Sequence, residues 1–297
     1  MKLSSPSNQT PKCVPCEPQI LAAPLAGWTD YAFRAVLMEC GAREVWTEMI
    51  NATALVRENQ KTLAMLKTEH RDGVRQVVQL FGCEPADFVT VIESGMLADY
   101  DEVNLNMGCP APKIVKNHCG CALMRHMDQA EHLIELCAAA VKKTGQQLSV
   151  KFRLGWDHNI AVEFAQMCVR AGATRLIVHG RLGVDGYRGT ADYTAIAVVK
   201  AAVSVPVIAN GDVRDRASLE KCLAETHADG VMIGRALCGA PWKIKLDDQV
   251  PTYERIVELM QMQRRLHNAN PSDLIKHWLC YQKQLKKYYP DYPVPAL

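Results

Sequence analysis

Residues 104–124, NLNMGCPAPKIVKNHCGCALM, hold Cys109, His118, Cys119 and Cys121 in one short stretch. These types and spacings allow metal ligation, disulfide exchange, proton donation, or plain filling of a tight turn. The order Cys-x9-Cys-x-Cys with one histidine lacks the paired knuckles of a zinc site, so no metal is expected. A disulfide between Cys109 and a later cysteine stays open, although the Cys-x-x-Cys spacing of a redox pair is missing. Cys109 stands apart from its neighbours because it follows Gly108 and precedes Pro110 at the end of a β-favouring run. A thiol needs only modest tuning to act as an acid near neutrality. Delivery of a proton to a carbon opposite a hydride donor therefore suits Cys109 best. Cys119 and Cys121, either side of Gly120, read as small residues of a turn, with His118 in the loop before it.

Other chemistry-bearing groups recur at the ends of β-favouring runs. Lys151 and Arg153 are two apart and share one strand face, while Val150, Phe152 and Leu154 take the other. Gln79, Asn104 and Asn106 end further runs, as do His179 with Arg181, Asn210-Gly211-Asp212, and Gly234-Arg235. A cation buried at a strand end requires an anion or a strongly polar partner. An internal ion pair with a neighbouring strand is one reading of Lys151 and Arg153. Convergence with His179, Asn210 and Gln79 on one rim favours a ligand.

The elements that must position these groups are eight strand candidates, at 19–27, 44–50, 75–82, 101–108, 148–155, 174–180, 205–211 and 229–235. Helical segments alternate with them, such as TDYAFRAVLMECGA opening on Thr29 and DQAEHLIELCAAAVKKTG opening on Asp128. That rhythm over 19–242 predicts an α/β fold, a (β/α)8 TIM barrel, whose active site lies at the C-terminal ends of its strands. A doubly wound open sheet is disfavoured, because no G-x-G-x-x-G follows the first strand. Beyond Trp242 the strands stop. Helices predicted at 251–267 and 272–289 make residues 243–297 a small all-helical domain. In the second helix Leu274, Ile275, Trp278, Leu279 and Leu285 form an apolar stripe, and Lys276, Lys283 and Lys287 line another face. That lysine row reads equally as a solvated face or as a docking surface.

Composition narrows the class. The chain has 297 residues, 48% hydrophobic and 22% charged, which is ordinary for a globular protein. A net charge of +2 announces no global field for nucleic acid, but residues 243–297 carry nine Lys/Arg against six Asp/Glu. No run approaches the roughly 18 apolar residues of a membrane span. Residues 1–18 read as a polar, proline-punctuated arm without the apolar centre of a secretory signal. Twelve scattered cysteines then imply reduced thiols and a cytoplasmic location, and a monomer is expected.

The turns NGDVRD and IGRALCGAPW, after strands seven and eight, fall where barrels commonly bind phosphate, through backbone N–H groups, a helix N-terminus and here Arg235. A lysine in the mouth, amides at strand ends and this phosphate site together suit flavin mononucleotide, FMN. Lys151 would stabilise the negative charge of reduced flavin around N1 and the C2 carbonyl. Gln79 and Asn104 would bond the ring's amide edge, and His179 would touch ring or phosphate.

The ordered set APLAGWTD (23–30), TEM (47–49), QLFG (79–82), NLNMGCPAPKIVKNHCGCALM, KFRLGWD (151–157), HGR…GYRG (179–189), VPVIANGDV (205–213) and DGVMIGRALCGAPW (229–242) resembles the tRNA-dihydrouridine synthase family across nearly the whole barrel. The resemblance implies an FMN barrel followed by a helical domain that helps to hold tRNA. It assigns Cys109 as the acid that protonates uracil C5 after hydride reaches C6, with NADPH as reductant. The flavin shell it implies comprises Pro24, Leu25, Ala26, Gln79, Lys151, His179, Asn210, Gly211, Asp212, Gly234 and Arg235. For the substrate it implies Asn104, Asn106, Arg153 and Arg181 near the base, and Lys276, Lys283 and Lys287 along the tRNA. His118 and Cys121 stand where the family more often has glycine or a smaller residue, and His118 is a candidate RNA contact. Residue chemistry alone also admits an FMN barrel oxidoreductase acting on a free small molecule, of the dihydroorotate dehydrogenase or ene-reductase kind, or a non-catalytic RNA-binding protein. The basic tail argues against the first. Cys109, Lys151 and His179 together argue against the second.

Overall fold

The computed structural model describes residues 17–267 and 271–297, so the expected arm at 1–18 lies almost wholly outside the described residues. The strands are β1 (Gln19–Ala22), β2 (Glu44–Asn51), β3 (Arg75–Phe81), β4 (Glu102–Met107), β5 (Gln147–Arg153), β6 (Arg175–His179), β7 (Val207–Asn210) and β8 (Gly230–Ile233). Each pairs in parallel with the next, and β8 pairs with β1, leaving only the β1–β2 junction without a ladder pair among the described residues. Eight parallel strands thus form a nearly closed barrel, as expected for a (β/α)8 fold. The strand ends predicted at 27, 211 and 235 extend past the ladders, because those residues belong to βα loops rather than to strands.

The helices are α1 (Tyr31–Glu39), α2 (Ala52–Val56), α3 (Gln60–Ala64), α4 (Pro85–Glu93), α5 (Pro112–Val115), α6 (Met127–Thr144), α7 (Ala161–Arg170), α8 (Tyr193–Ala202), α9 (Arg216–Thr226), α10 (Tyr253–Leu266) and α11 (Pro271–Tyr288). Two expected caps differ. Asp30, not Thr29, caps α1 by accepting from the Phe33 N–H at 2.8 Å, because the Thr29 hydroxyl is spent on Leu25, closing the β1–α1 loop. The α6 helix starts before Asp128, which lies in its first turn as an acid favourably placed against the helix dipole. It ends at Gly145 in the left-handed region, as the sequence predicts.

Strand alternation sorts the residues into two cores. Val150, Phe152 and Leu154 of the β5 segment face outward into the layer between sheet and helices, where Phe152 meets Phe164 at 5.2 Å between ring centroids. Inside the barrel a small apolar group, including Trp46, Val77, Ile177 and Ile208, shares the space with buried Gln79, Asn104, Ser149, Glu44, Glu102 and Arg175. After the barrel, α10 and α11 bury Ile256, Leu259, Trp278, Tyr281 and Leu285 in the same apolar cluster that lines the barrel's outer layer. The expected stripe on α11 is only partly real. Trp278 and Leu285 are buried, but Ile275 and Leu279 are 45% and 52% exposed, and Tyr281 and His277 take the inner face instead. The barrel surface that α11 meets selects a face rotated from the one that hydrophobicity alone marks. Among the described residues no helix is long and apolar enough to cross a membrane.

Candidate active site

A cavity of about 940 Å3 opens at the C-terminal ends of the strands. Pro24, Leu25, Ala26, Gln79, Asn106, Cys109, Lys151, Arg153, His179, Asn210, Gly211, Asp212, Gly234 and Arg235 all line it. The structure therefore brings together every expected cofactor residue and the expected acid. Asn104 and Arg181 do not line the cavity. The lysines of α11 lie apart from it and are exposed, with Lys276 held by Asp273 and its Nζ near Gly27.

On β5 the register puts Lys151 beside Asn106 of β4 and Ile177 of β6. Lys151 Nζ donates to Asn210 Oδ1 at 2.9 Å, and Asn210 in turn donates to the Met232 carbonyl at 2.8 Å. No carboxylate pairs with Lys151 among the described residues, so the internal ion pair is not what holds it. Burial, with Arg153 adding repulsion, pushes its ammonium down to about 7. Arg153 takes the other course and is spent on backbone. Its Nε donates to Gly108 O at 2.9 Å, and one terminal nitrogen serves Leu182 O and Gly186 O at 2.9 and 2.8 Å. It ties the turn before Cys109 to the loop after β6.

Cys109 sits on a turn held from several sides. Its N–H and that of Gly108 both donate to Asn106 Oδ1, at 2.9 and 3.2 Å. Its carbonyl accepts from the Cys121 N–H at 3.0 Å, and Gly120 lies so close that an added Cβ would stand 2.7 Å from Cys109 O. Gly120 also adopts φ +61, a conformation natural to glycine. The Cys-Gly-Cys sequence is thus a backbone buttress beneath Cys109. Burial pushes the Cys119 and Cys121 thiols up to about 12, and both remain inert fillers. Burial also pushes the Cys109 thiol up, against the Ala111 N–H and the Arg153 and Lys151 charges, so it holds its proton at neutrality. His118 is exposed at φ 57, with the His126 ring 6.5 Å away.

The opposite rim is organised by Asp212. It occupies the left-handed region at φ 58 and accepts from Arg181 at 2.7 and 2.8 Å, from the Ala191 N–H at 2.8 Å and from Arg235 at 3.3 Å. Burial opposes ionisation of Asp212, but these donors outweigh it and hold its carboxyl below the usual range. Arg181 thereby positions Asp212, and its Nη1 lies 3.4 Å from His179 Nε2. Burial and the surrounding cations keep His179 neutral. The helix N-terminus expected to receive an anion after strand seven is already occupied. Asp215 caps α9 by accepting from the Ser218 N–H at 2.9 Å, and the Ser218 hydroxyl caps back onto the Asp215 N–H at 3.0 Å. Arg235, Gly211 and Gly234 line the cavity on this rim.

Tyr187 escaped sequence reasoning. Its exposed ring overhangs the cavity between the guanidinium carbons of Arg153 and Arg235, 5.8 and 5.0 Å from the ring centroid. It lies in a glycine-rich loop with no periodic signal. The interior polar side chains of β4 and β5 did leave one, a polar residue at every second position through Glu102, Asn104 and Asn106, and Ser149, Lys151 and Arg153.

The family profile for dihydrouridine synthase matches residues 20–281. A probable tRNA-dihydrouridine synthase of Rhodobacter capsulatus is 39% identical over 230 residues, covering 77% of this chain and 70% of that one. A probable tRNA-dihydrouridine synthase of Rickettsia bellii is 38% identical over 238 residues, covering 79% of this chain and 72% of that one. The tRNA-dihydrouridine synthase B of Klebsiella pneumoniae is 35% identical over 226 residues, covering 75% and 69%.

Proposed function

The chain belongs to the dihydrouridine synthase family, and from that premise we propose that it reduces the C5=C6 bond of particular uridines in tRNA, with FMN in the strand-end cavity and NADPH as electron source. The observation that carries the reading is the pairing, across one cavity, of a lysine without an anionic partner among the described residues and a cysteine that keeps its proton.

The donor set fits a flavin. Lys151 offers its ammonium to the N1–C2 edge, where negative charge gathers on reduction. Gln79 keeps one N–H and one carbonyl lone pair for an imide edge after its two bonds inside the barrel. Arg235 and the Gly211 and Gly234 backbone supply the phosphate contacts, with Pro24, Leu25 and Ala26 along the ring. His179, held neutral, adds a polar contact without repelling Lys151 further.

Bound there, FMN would supply the hydride that enters at uracil C6. Cys109 gives its proton to C5, and the thiolate left behind is stabilised by the charges of Arg153 and Lys151. Asn106 fixes the turn that aims the thiol, and its Nδ2 donates weakly to Met49 Sδ at 3.8 Å, a bond that a base edge would replace. Arg153 and Arg181 act mainly by holding loops, through the carbonyls and the carboxylate they bind. Residues 243–297 serve as the helical part that holds tRNA, with Lys283 and Lys287 facing solvent along α11. We take the enzyme to act in the cytoplasm as a monomer. The test is a complementation: tRNA from a strain lacking this gene should regain dihydrouridine when the wild-type gene is restored. Unchanged tRNA would refute the assignment.

A further inference from the structure

The buried polar side chains inside the barrel form one continuous hydrogen-bonded chain. It starts at the N-terminal end, where Glu102 is wholly buried and ion-paired with Arg175 at 2.8 Å and Arg75 at 3.0 Å. The Ser149 hydroxyl donates to Glu102 Oε1. Ser149 Oγ accepts from Asn104 Nδ2 at 2.7 Å, and Asn104 Oδ1 accepts from Gln79 Nε2 at 2.7 Å. Gln79 Oε1 accepts from Asn106 Nδ2 at 2.8 Å, and Asn106 Oδ1 accepts from the Cys109 N–H at 2.9 Å. The chain runs from a carboxylate at one end of the barrel to the turn of the reactive cysteine at the other.

Each amide in this chain has nearly the same shape when its oxygen and nitrogen are exchanged. Local packing therefore does not decide which way Gln79 or Asn106 points. The two ends do. An ion-paired carboxylate can only accept, which forces the Ser149 hydroxyl to donate downward and to present its lone pair to Asn104. At the upper end the Cys109 N–H can only donate, and it demands the oxygen of Asn106. Both ends agree on a single direction, and every link between them is satisfied.

We propose that Glu102 and Ser149, which do not line the cavity, are positioning residues that set the direction of this chain, and so fix both the donor–acceptor order Gln79 shows to the cofactor and the seat of the Cys109 turn. A reversed Gln79 would oppose like groups to an imide edge, where a donor N–H lies between two carbonyls. A reversed Asn106 would set its NH2 against the Cys109 and Gly108 N–H groups. Recognition at the C-terminal rim is then set jointly by the Cys109 N–H and by the far end of the barrel. The cofactor half of this inference rests on the FMN reading above, and the Cys109 half does not.

The experiment compares wild type with Ser149→Ala and Ser149→Thr. Alanine removes the hydroxyl with the smaller change of volume, while threonine keeps it and adds a methyl group. Two quantities are measured: the FMN dissociation constant of the apoprotein, and hydrogen exchange at the Cys109 backbone amide without FMN. Thermal melting confirms that each variant is folded. Ser149→Ala should weaken FMN binding about tenfold and speed exchange at Cys109 by a similar factor, which is about 1.4 kcal/mol for one misdirected bond. Ser149→Thr should restore both to within about threefold of wild type. If the threonine side chain proves too large for the barrel to fold around it, Glu102→Gln supplies the second arm, since a neutral amide there no longer imposes a direction and should reproduce the alanine phenotype. Wild-type FMN affinity and exchange in folded Ser149→Ala would overturn the proposal, as would a folded threonine variant as impaired as alanine. Failure of wild type to bind FMN would instead refute the cofactor reading, and the exchange measurement would still judge the chain.

Discussion

Lys151 Nζ and Asn210 Oδ1 lie 2.9 Å apart, and among the described residues this neutral amide is the only hydrogen-bond partner of a cation whose neighbour two residues along is another cation. A lysine so placed is poorly compensated by the protein alone and well placed for an anionic ligand. That single relationship gives the site its sign.

It also gives a pH dependence. In the unfolded chain a lysine titrates at about 10.4, whereas burial brings Lys151 down to about 7. Between these values the unfolded state binds more protons, so the stability of the unliganded protein attributable to this residue rises with pH across that window. FMN binding should draw a proton onto Lys151, and affinity should fall as pH rises above about 7, by up to about tenfold per unit. Lys151→Met should flatten both profiles. Denaturant melts and FMN titrations from about pH 6 to about pH 11, spanning both pKa values, check this. An equally steep FMN profile in the variant would count against it.

Cys109 holds its proton because burial outweighs the neighbouring cations. Cys109→Ala should still bind FMN and bleach under NADPH without oxygen, yet form dihydrouridine on unmodified tRNA at least about a hundredfold more slowly. Single-turnover assays with pre-reduced enzyme separate the two steps. Full synthase activity in the variant would remove Cys109 from its role as the acid.

Gly120→Ala strains a left-handed residue and drives a methyl group against Cys109 O and the Ile114 side chain, where a Cβ would stand at 2.7 and 2.9 Å. A loss of about 2 kcal/mol is expected from strain and overpacking together. Because the backbone of Cys109 takes the displacement, turnover should fall more than stability explains. Chemical denaturation beside turnover at saturating tRNA measures both.

Exposed Lys283 and Lys287 do not line the cavity, so their charges can reach only a large anionic substrate. Reversing both to glutamate should raise KM for tRNA several-fold, reduce its salt dependence, and leave flavin reduction by NADPH untouched. Identical tRNA kinetics would return these lysines to the solvent.

The sequence by itself determined the barrel, because strand and helix periods are local properties of the chain. It also singled out Cys109, Lys151, Gln79, His179 and Asn210. A polar residue that ends an apolar run at the functional end of a barrel is costly to bury unless it meets a ligand or a polar partner. What it left open was which groups act on a ligand and which act on the protein. Arg153 and Arg181 were expected near a ligand, and the fold also pairs them with carbonyls and with Asp212, with Arg153 on the cavity wall and Arg181 behind it. Ile275 and Leu279 carried the expected stripe of α11, and only the barrel wall that Trp278 and Tyr281 meet decides which face is inward. The four-residue puzzle of Cys109, His118, Cys119 and Cys121 divides in the same way. Residue type and position marked Cys109, but only the packing of Gly120 against its carbonyl made the other two cysteines its support. Hydrogen bonds between β3, β4 and β5 join residues 25 to 47 positions apart, and partners at such separations leave no mark on local pattern. Which atom faces which is a property of the closed barrel, and the tertiary structure alone decides it.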